Sequence, residues 1–297
     1  MEIIKNPILA PVLTATATAT ETNSPALDAL LARDPSFSNM PRMVALVVNE
    51  ANRAEPDLRK LCQWIGCDPG LSAHALQWAN SEKFGLAGRV GSVSEALAVL
   101  DQVHLRALAQ AATVSGALQP VRGIDLRAFW RYSLNTAKVA RSLAGTLHLD
   151  ASAAYTAGIV HALGELVILG QAPRVVQIQT TAPPLGLARA RAERRLLGFC
   201  HADVIAGLAR KWHWPDSLVD ALKHQHNPFG ADNYEPLAGV LHLSAWRASA
   251  REAGLTGNEL TVTFPGEVGV PLGLDIDVVL QQDPIDWHSR RAEPVWR

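Results

Sequence analysis

The chain reads as an all-α protein made of two packed helical lobes. Three observations predict this. Apolar residues recur at helical spacing from Ala26 almost to the end. Helix-starting signals recur too, in Met40-Pro41, Asp68-Pro69 and Ser92-x-x-Glu95. The connections between periodic stretches are short, with no internal repeat and no heptad run.

The elements follow in order. Met1 to Asn23 carries a Thr/Ala alternation from Thr14 to Thr22 that has little to bury, and is expected to be a flexible leader. Ala26 to Arg33 predicts a short helix. Met40-Pro41 opens a second, to about Asn52, with Met43, Val44, Val47 and Val48 on one side. Pro56 is placed at the first position of a third, whose stripe is Leu58, Leu61, Cys62 and Ile65. Asp68 caps a fourth with Pro69 in its first turn, and His74 sits at the margin of its apolar face. Phe84 to Gly88 is a loop. Ser92-x-x-Glu95 is a capping box, and Asp101 to about Leu118 is the next helix. Pro120 to Gly123 divides the lobes, so 24–120 forms one, 121–250 the other, and 251–297 an extension. Helices are predicted over Phe129–Leu149, Ala151–Gly170, Ala188–His213, Ser217–His226, Pro236–Glu252 and Asp275–Gln282. Leu260 to Phe264 alternates and is expected to be a short extended segment. Asp283 to Arg297 is expected to be irregular.

Composition narrows the function. Hydrophobic residues make up 48% of 297 and charged residues 19%, so the chain can bury a sizeable core. A net charge of -1 gives no electrostatic footprint for nucleic acid or an anionic membrane. Three cysteines, Cys62, Cys67 and Cys200, are no disulfide framework and fit a reducing compartment. No window is read as long and apolar enough to span a membrane, and the start lacks a signal-peptide core. A cytoplasmic location is the expectation.

An ordered set of short motifs runs from Met40-Pro41 to roughly Ala250. The set comprises Asp68-Pro69-x-Leu71, Trp78-Ala79-Asn80-Ser81 with Phe84-Gly85, Ser92-Val93-x-x-Ala96 and Phe129-Trp130. It continues with Ala157-Gly158-x-x-His161 and Gly164, Glu193 with Gly198 and His201, and Gly207-x-x-x-x-Trp212 before Trp214-Pro215. His226-Asn227-Pro228 closes it. The set resembles the HDOD module, a bacterial regulatory relative of the HD phosphohydrolases. Departures are Asp101 where a glycine often stands, and Gln225-His226 where paired histidines often stand.

The resemblance implies a degraded metal site. HD hydrolases centre on a His-Asp step, because hard divalent ions need carboxylate oxygen beside imidazole. Here His161 is followed by Ala162, which has no donor atom. Tyr132 matches the position of the first histidine and shares an inward face with Thr136, Val139 and Leu143. Ala245 matches the last aspartate. His201 and His226 remain, and no carboxylate occupies a matched position. Tyr132, His161, Ala162, His201, His226 and Ala245 are the candidate pocket. Its histidines read as packed core residues, and the expectation is no cofactor. Should a metal bind, it would be one divalent ion on His161, His201 and His226, since zinc accepts imidazole-only sites.

Other candidates read as structural. Arg189, Arg191, Arg194 and Arg195 are expected on a solvated helix face, with a phosphate or nucleotide contact as the alternative. Trp64, Trp78, Trp130, Trp212 and Trp246 are expected in the core. No P-loop and no dinucleotide fingerprint occurs. The expected role, as the resemblance implies, is a non-catalytic signalling scaffold that binds a regulatory protein partner, with a small ligand in its pocket and neither nucleic acid nor membrane as partner. The loop Asn80 to Gly88 or the irregular tail is the expected surface for that partner. The alternative is a divergent metal-dependent phosphohydrolase or phosphodiesterase.

Overall fold

A computed structural model describes residues 24–114, 121–182, 185–186, 188–230 and 234–282. The expected leader and the irregular tail lie outside them. The fold is all-α, and no strand occurs among the described residues.

Local chemistry sets the first helices. Ser24 caps α1 (Pro25–Leu31), and Pro41 starts α2 (Pro41–Ala51). The third helix begins later than its sequence stripe suggested. Asp57, not Pro56, is its cap, accepting the amides of Arg59 and Lys60 ahead of α3 (Leu58–Cys67). A free Asp oxygen satisfies amides that a proline cannot.

Asp68 caps α4 (Pro69–Ala79) and does a second job. Its Oδ1 accepts Leu71 N at 2.9 Å, while Oδ2 accepts Met40 N at 2.5 Å, so one buried carboxyl ties the start of α2 to the start of α4. Burial pushes this carboxyl up to about 7, against the backbone amides that favour its charged form. Asp68→Ala is expected to cost about 2 kcal/mol, the sum of a lost cap and an orphaned amide. Urea unfolding checks it, and a loss below about 0.5 kcal/mol would mean the tie is not stabilising.

The predicted capping box forms at α5 (Val93–Val99), with Ser92 and Glu95 exchanging bonds. After α6 (Gln102–Val114) the chain enters α7 (Leu126–Thr146), capped by Asp125. Two long predicted helices are each broken in two. The stretch 151–170 becomes α8 (Ala151–Val160) and α9 (Leu163–Gln171), with the break at His161-Ala162. The stretch 188–213 becomes α10 (Arg189–Leu197) and α11 (His201–Lys211). Gly198, at φ 85°, closes the first of these. Periodicity missed the first break because apolar spacing continues through it, and at the second only Gly198 itself signals an end.

The remaining elements are α12 (Asp216–His224), α13 (Pro236–Glu252), α14 (Asn258–Thr263), α15 (Gly266–Gly269) and α16 (Ile276–Gln281). The expected extended segment at 260–264 is therefore mostly helix α14. Its alternation spans too few residues to separate the two periods. Thr261 and Thr263 return their hydroxyls to the carbonyls of Gly257 and Glu259, a helical pattern.

Membrane length also needs correction. The segment Ala151–Gln171 is long and apolar enough to cross a membrane by length and composition, contrary to the sequence reading. Of its most apolar window, 83% is buried inside the fold, so its apolarity is used in packing.

Helix α7 packs against α8 and α13, and α11 packs against α9 and α12. Helix α8 also touches α3, α4 and α5, joining the two halves. Among the described residues, one hydrophobic cluster takes members from both halves, from Leu27 to Ala248. A second, around Val139, Leu243, Trp246 and Val279, seats the last helices on α7 and α13. Trp130, Trp212 and Trp246 are buried as expected, whereas Trp64 and Trp78 are half-buried.

Candidate functional site

The break between α8 and α9 builds the site. His161 ends α8, and its Nδ1 donates to Gly158 O at 2.7 Å, which fixes a neutral ring with Nδ1 protonated. Its Nε2 is buried without a partner. Burial pushes His161 down to about 4. Gly164, the second residue of α9, permits close approach of α11: a Cβ there would lie 2.1 Å from the His201 carbonyl oxygen. That is the physical use of the glycine noted in the sequence.

His201 opens α11 and is held from both sides. Its Nδ1 stands 2.7 Å from Glu193 Oε2, and the same oxygen accepts His201 N at 2.8 Å. Glu165 Oε1 lies 3.9 Å from His201 Nδ1. On the other side, His201 Nε2 and His226 Nε2 share a hydrogen bond at 2.8 Å, with the rings edge-on. Burial works to lower His201, but the charge and hydrogen bond of Glu193 overcome it, and the ring is held above the usual histidine range. Burial and the charge on His201 push His226 well down. One of the two Nε2 atoms must carry the hydrogen of this shared bond, and the opposite shifts of the two rings favour His201 as the donor.

Both oxygens of Glu193 are engaged. Its Oε1 takes Arg189 Nε at 2.8 Å, and both side chains are fully buried. Arg189 Nη1 also donates to Ala182 O. Burial would raise the Glu193 carboxyl; His201 and Arg189 together hold it below the usual range. The expectation of a solvated arginine face is therefore wrong for Arg189, a buried ion-pair partner. Arg191, Arg194 and Arg195 are exposed, as expected.

These groups line a cavity of about 650 Å³. All six sequence candidates reach it: Tyr132, His161, Ala162, His201, His226 and Ala245. Tyr132 is buried, its ring 5.1 Å from that of His161, and burial raises its phenol further. Sequence reasoning missed Glu165, which lies four residues after His161, and His242, which lies three before Ala245 on the same face of α13. Arg191 and Arg194 also line the cavity. The α13–α15 segment adds a wall through Thr263, Phe264, Pro265 and Glu267, with Phe264 edge-on to Trp246.

The donors present limit the metal chemistry open to this cavity. Ala162 and Ala245 offer no donor, and Glu193 is committed to Arg189 and His201. The two Nε2 atoms of His201 and His226 face each other at hydrogen-bond distance. Among the described residues no group of three or more His, Cys, Asp or Glu side chains stands in a metal-holding arrangement. The donor set does not fit a two-metal centre.

The HDOD domain family model matches residues 37–228, well over half of the chain. The chain belongs to the HDOD domain family. MmoQ, a response regulator from Methylococcus capsulatus, has the same fold as this HDOD chain, with a TM-score of 0.65 at 24% identity; the likeness covers 83% of this chain and 95% of that one. A Treponema pallidum protein named "Uncharacterized protein" is 26% identical over 220 residues, 70% of this chain and 41% of that protein. Ribonuclease Y of Thermus thermophilus is 28% identical over 171 residues, 52% of this chain and 25% of the relative. The chain thus spans less than half the length of these curated relatives.

Proposed function

We propose that this HDOD chain is a non-catalytic regulatory scaffold that works by binding a protein partner or a small ligand. The observation that carries the reading is His201, whose two ring nitrogens are both spent inside the protein, on Glu193 and on His226. A hydrolytic centre needs imidazole lone pairs and carboxylates turned toward an ion or a water. Ala162, Ala245 and Tyr132 occupy positions where the family resemblance implies such groups. The cavity keeps a size suited to a small molecule. A ligand there would contact α7, α9, α11 and α13 together, and could bias their packing by its preference for one arrangement.

The competing reading is a divergent phosphohydrolase. The match to ribonuclease Y favours it, as does the unpartnered His161 Nε2. Metal analysis of purified protein by mass spectrometry, with hydrolysis of bis-p-nitrophenyl phosphate, decides between them. The scaffold reading expects less than about 0.1 metal per chain and no turnover above background. Stoichiometric metal with turnover would overturn it. The double change Ala162→Asp and Ala245→Asp is expected to create no activity, because Tyr132 still fills the first ligand position.

A further inference from the structure

Outside the histidine cavity, three polar side chains meet at the start of α6. Asp101 stands just ahead of that helix, where its Oδ1 accepts His104 N at 3.0 Å and its carbonyl accepts Leu105 N. The same Oδ1 lies 2.7 Å from His104 Nδ1. On the far side of the ring, His104 Nε2 lies 2.6 Å from the Nζ of Lys83, which belongs to the 3₁₀ turn Glu82–Phe84. Asp101, His104 and Lys83 thus form one line of hydrogen bonds.

Chemistry assigns the roles. The backbone amide and the ring of His104 hold the Asp101 carboxyl below the usual carboxylate range. A carboxylate only accepts, so His104 Nδ1 carries the hydrogen and Nε2 turns a lone pair toward Lys83. The imidazole is held in place: its side chain is 15% exposed and packs edge-on against Phe84, with centroids 4.9 Å apart. Lys83 is exposed, and His104 is its one hydrogen-bond partner among the described residues. A nucleophile in reach of a base that a third group orients is the arrangement used in covalent catalysis. Lys60 and Lys211 differ. They face the carboxylates of Asp57 at 3.7 Å and Asp34 at 2.8 Å, which favour the charged amine and are poor bases.

We propose that Lys83 is a covalent modification site, whose amine takes an acyl group from an activated donor, an acyl phosphate or an acyl thioester. The Lys83 ammonium passes one proton to His104 Nε2, and Asp101 stabilises the imidazolium that forms. The freed nitrogen pair attacks the acyl carbon. The C–O or C–S bond then breaks with its electrons on the departing phosphate or thiolate, which takes the second amine proton as the amide forms. His104 returns its proton to water. The product is neutral, so residues 80–88 keep Glu82 as their one charge. An effect of that change on a protein partner rests on the scaffold reading; the acylation does not, so each can fail alone.

Acetyl phosphate and acetyl-coenzyme A, added separately to the full chain, test the site, with acetylation of each lysine followed by mass spectrometry. Lys83 is expected to react at least about fivefold faster than Lys60 with one donor or both. Reaction with both assigns recognition to the acyl carbon alone, and reaction with one makes its leaving group part of recognition. The advantage is expected to vanish in guanidinium chloride, where the three partners separate, and this comparison needs no variant. His104→Gln keeps a polar side chain but supplies no base. It is expected to slow Lys83 to the Lys60 rate and leave Lys60 unchanged, and Asp101→Asn is expected to slow Lys83 as well. No advantage of Lys83 in the folded chain, an advantage that survives unfolding, or an unchanged Lys83 rate in folded His104→Gln would each overturn the proposal.

Discussion

Replacing Glu193 by alanine is expected to destabilise the protein by about 3–5 kcal/mol, the usual cost of stripping a buried ion of its partner. Arg189 and Glu193 are both fully buried, and Arg189 Nη2 already has no hydrogen-bond partner. Without Glu193, the guanidinium keeps only the Ala182 carbonyl among its bonds, and His201 loses the acceptor of both its amide and its Nδ1. Glu193→Gln keeps the volume and one acceptor oxygen, so it is expected to cost clearly less. Denaturant unfolding of both variants measures the difference. Equal, small losses for both, under about 1 kcal/mol, would mean that water reaches Arg189 and the pair is not sealed.

The second large effect is an acid limb in the stability curve that depends on His161. Burial lowers this ring to about 4, so between about pH 6.5 and 4 the unfolded chain binds a proton that the folded chain refuses. Stability therefore falls as pH falls through that window, and the refusal is worth about 3 kcal/mol once both values are passed. His226 is lowered as well and adds to the same limb. His201 has the opposite sign. Its raised value gives stability that is present below about pH 6.5 and lost as pH climbs through the folded value. The variant His161→Asn can still donate to Gly158 O but cannot titrate. Its acid limb is expected to be shallower by about 3 kcal/mol than that of the unaltered protein. Identical limbs in unfolding curves at pH 7 and pH 4 would assign the loss to other groups.

What could be read from the sequence depended on range. Caps and first-turn prolines are local, and Asp68-Pro69 and Ser92-x-x-Glu95 act in the structure as read. The family resemblance placed six residues in one cavity, although no spacing rule joins positions 132 and 245. The helix break at His161 was not legible, because burial continues on both sides of it and the apolar stripe runs on; the break at Gly198 lies among exposed and half-buried residues, and only the glycine itself, a helix-ending residue, signals it. Arg189 was misjudged for a related reason. A run of arginines looks solvated until the fold brings Glu193, one turn away, and His201 into the same buried spot. The short segment at Leu260 failed because its Thr-Val alternation suits one or two helical turns as well as a strand.

The hydrophobic cluster that takes members from both halves, from Leu27 to Ala248, has a consequence for inheritance. Neither half has an inner surface of its own to close, so a gene carrying only one of them would yield a chain with an open, sticky flank. Shuffling between proteins must therefore move the pair together, as a single cassette.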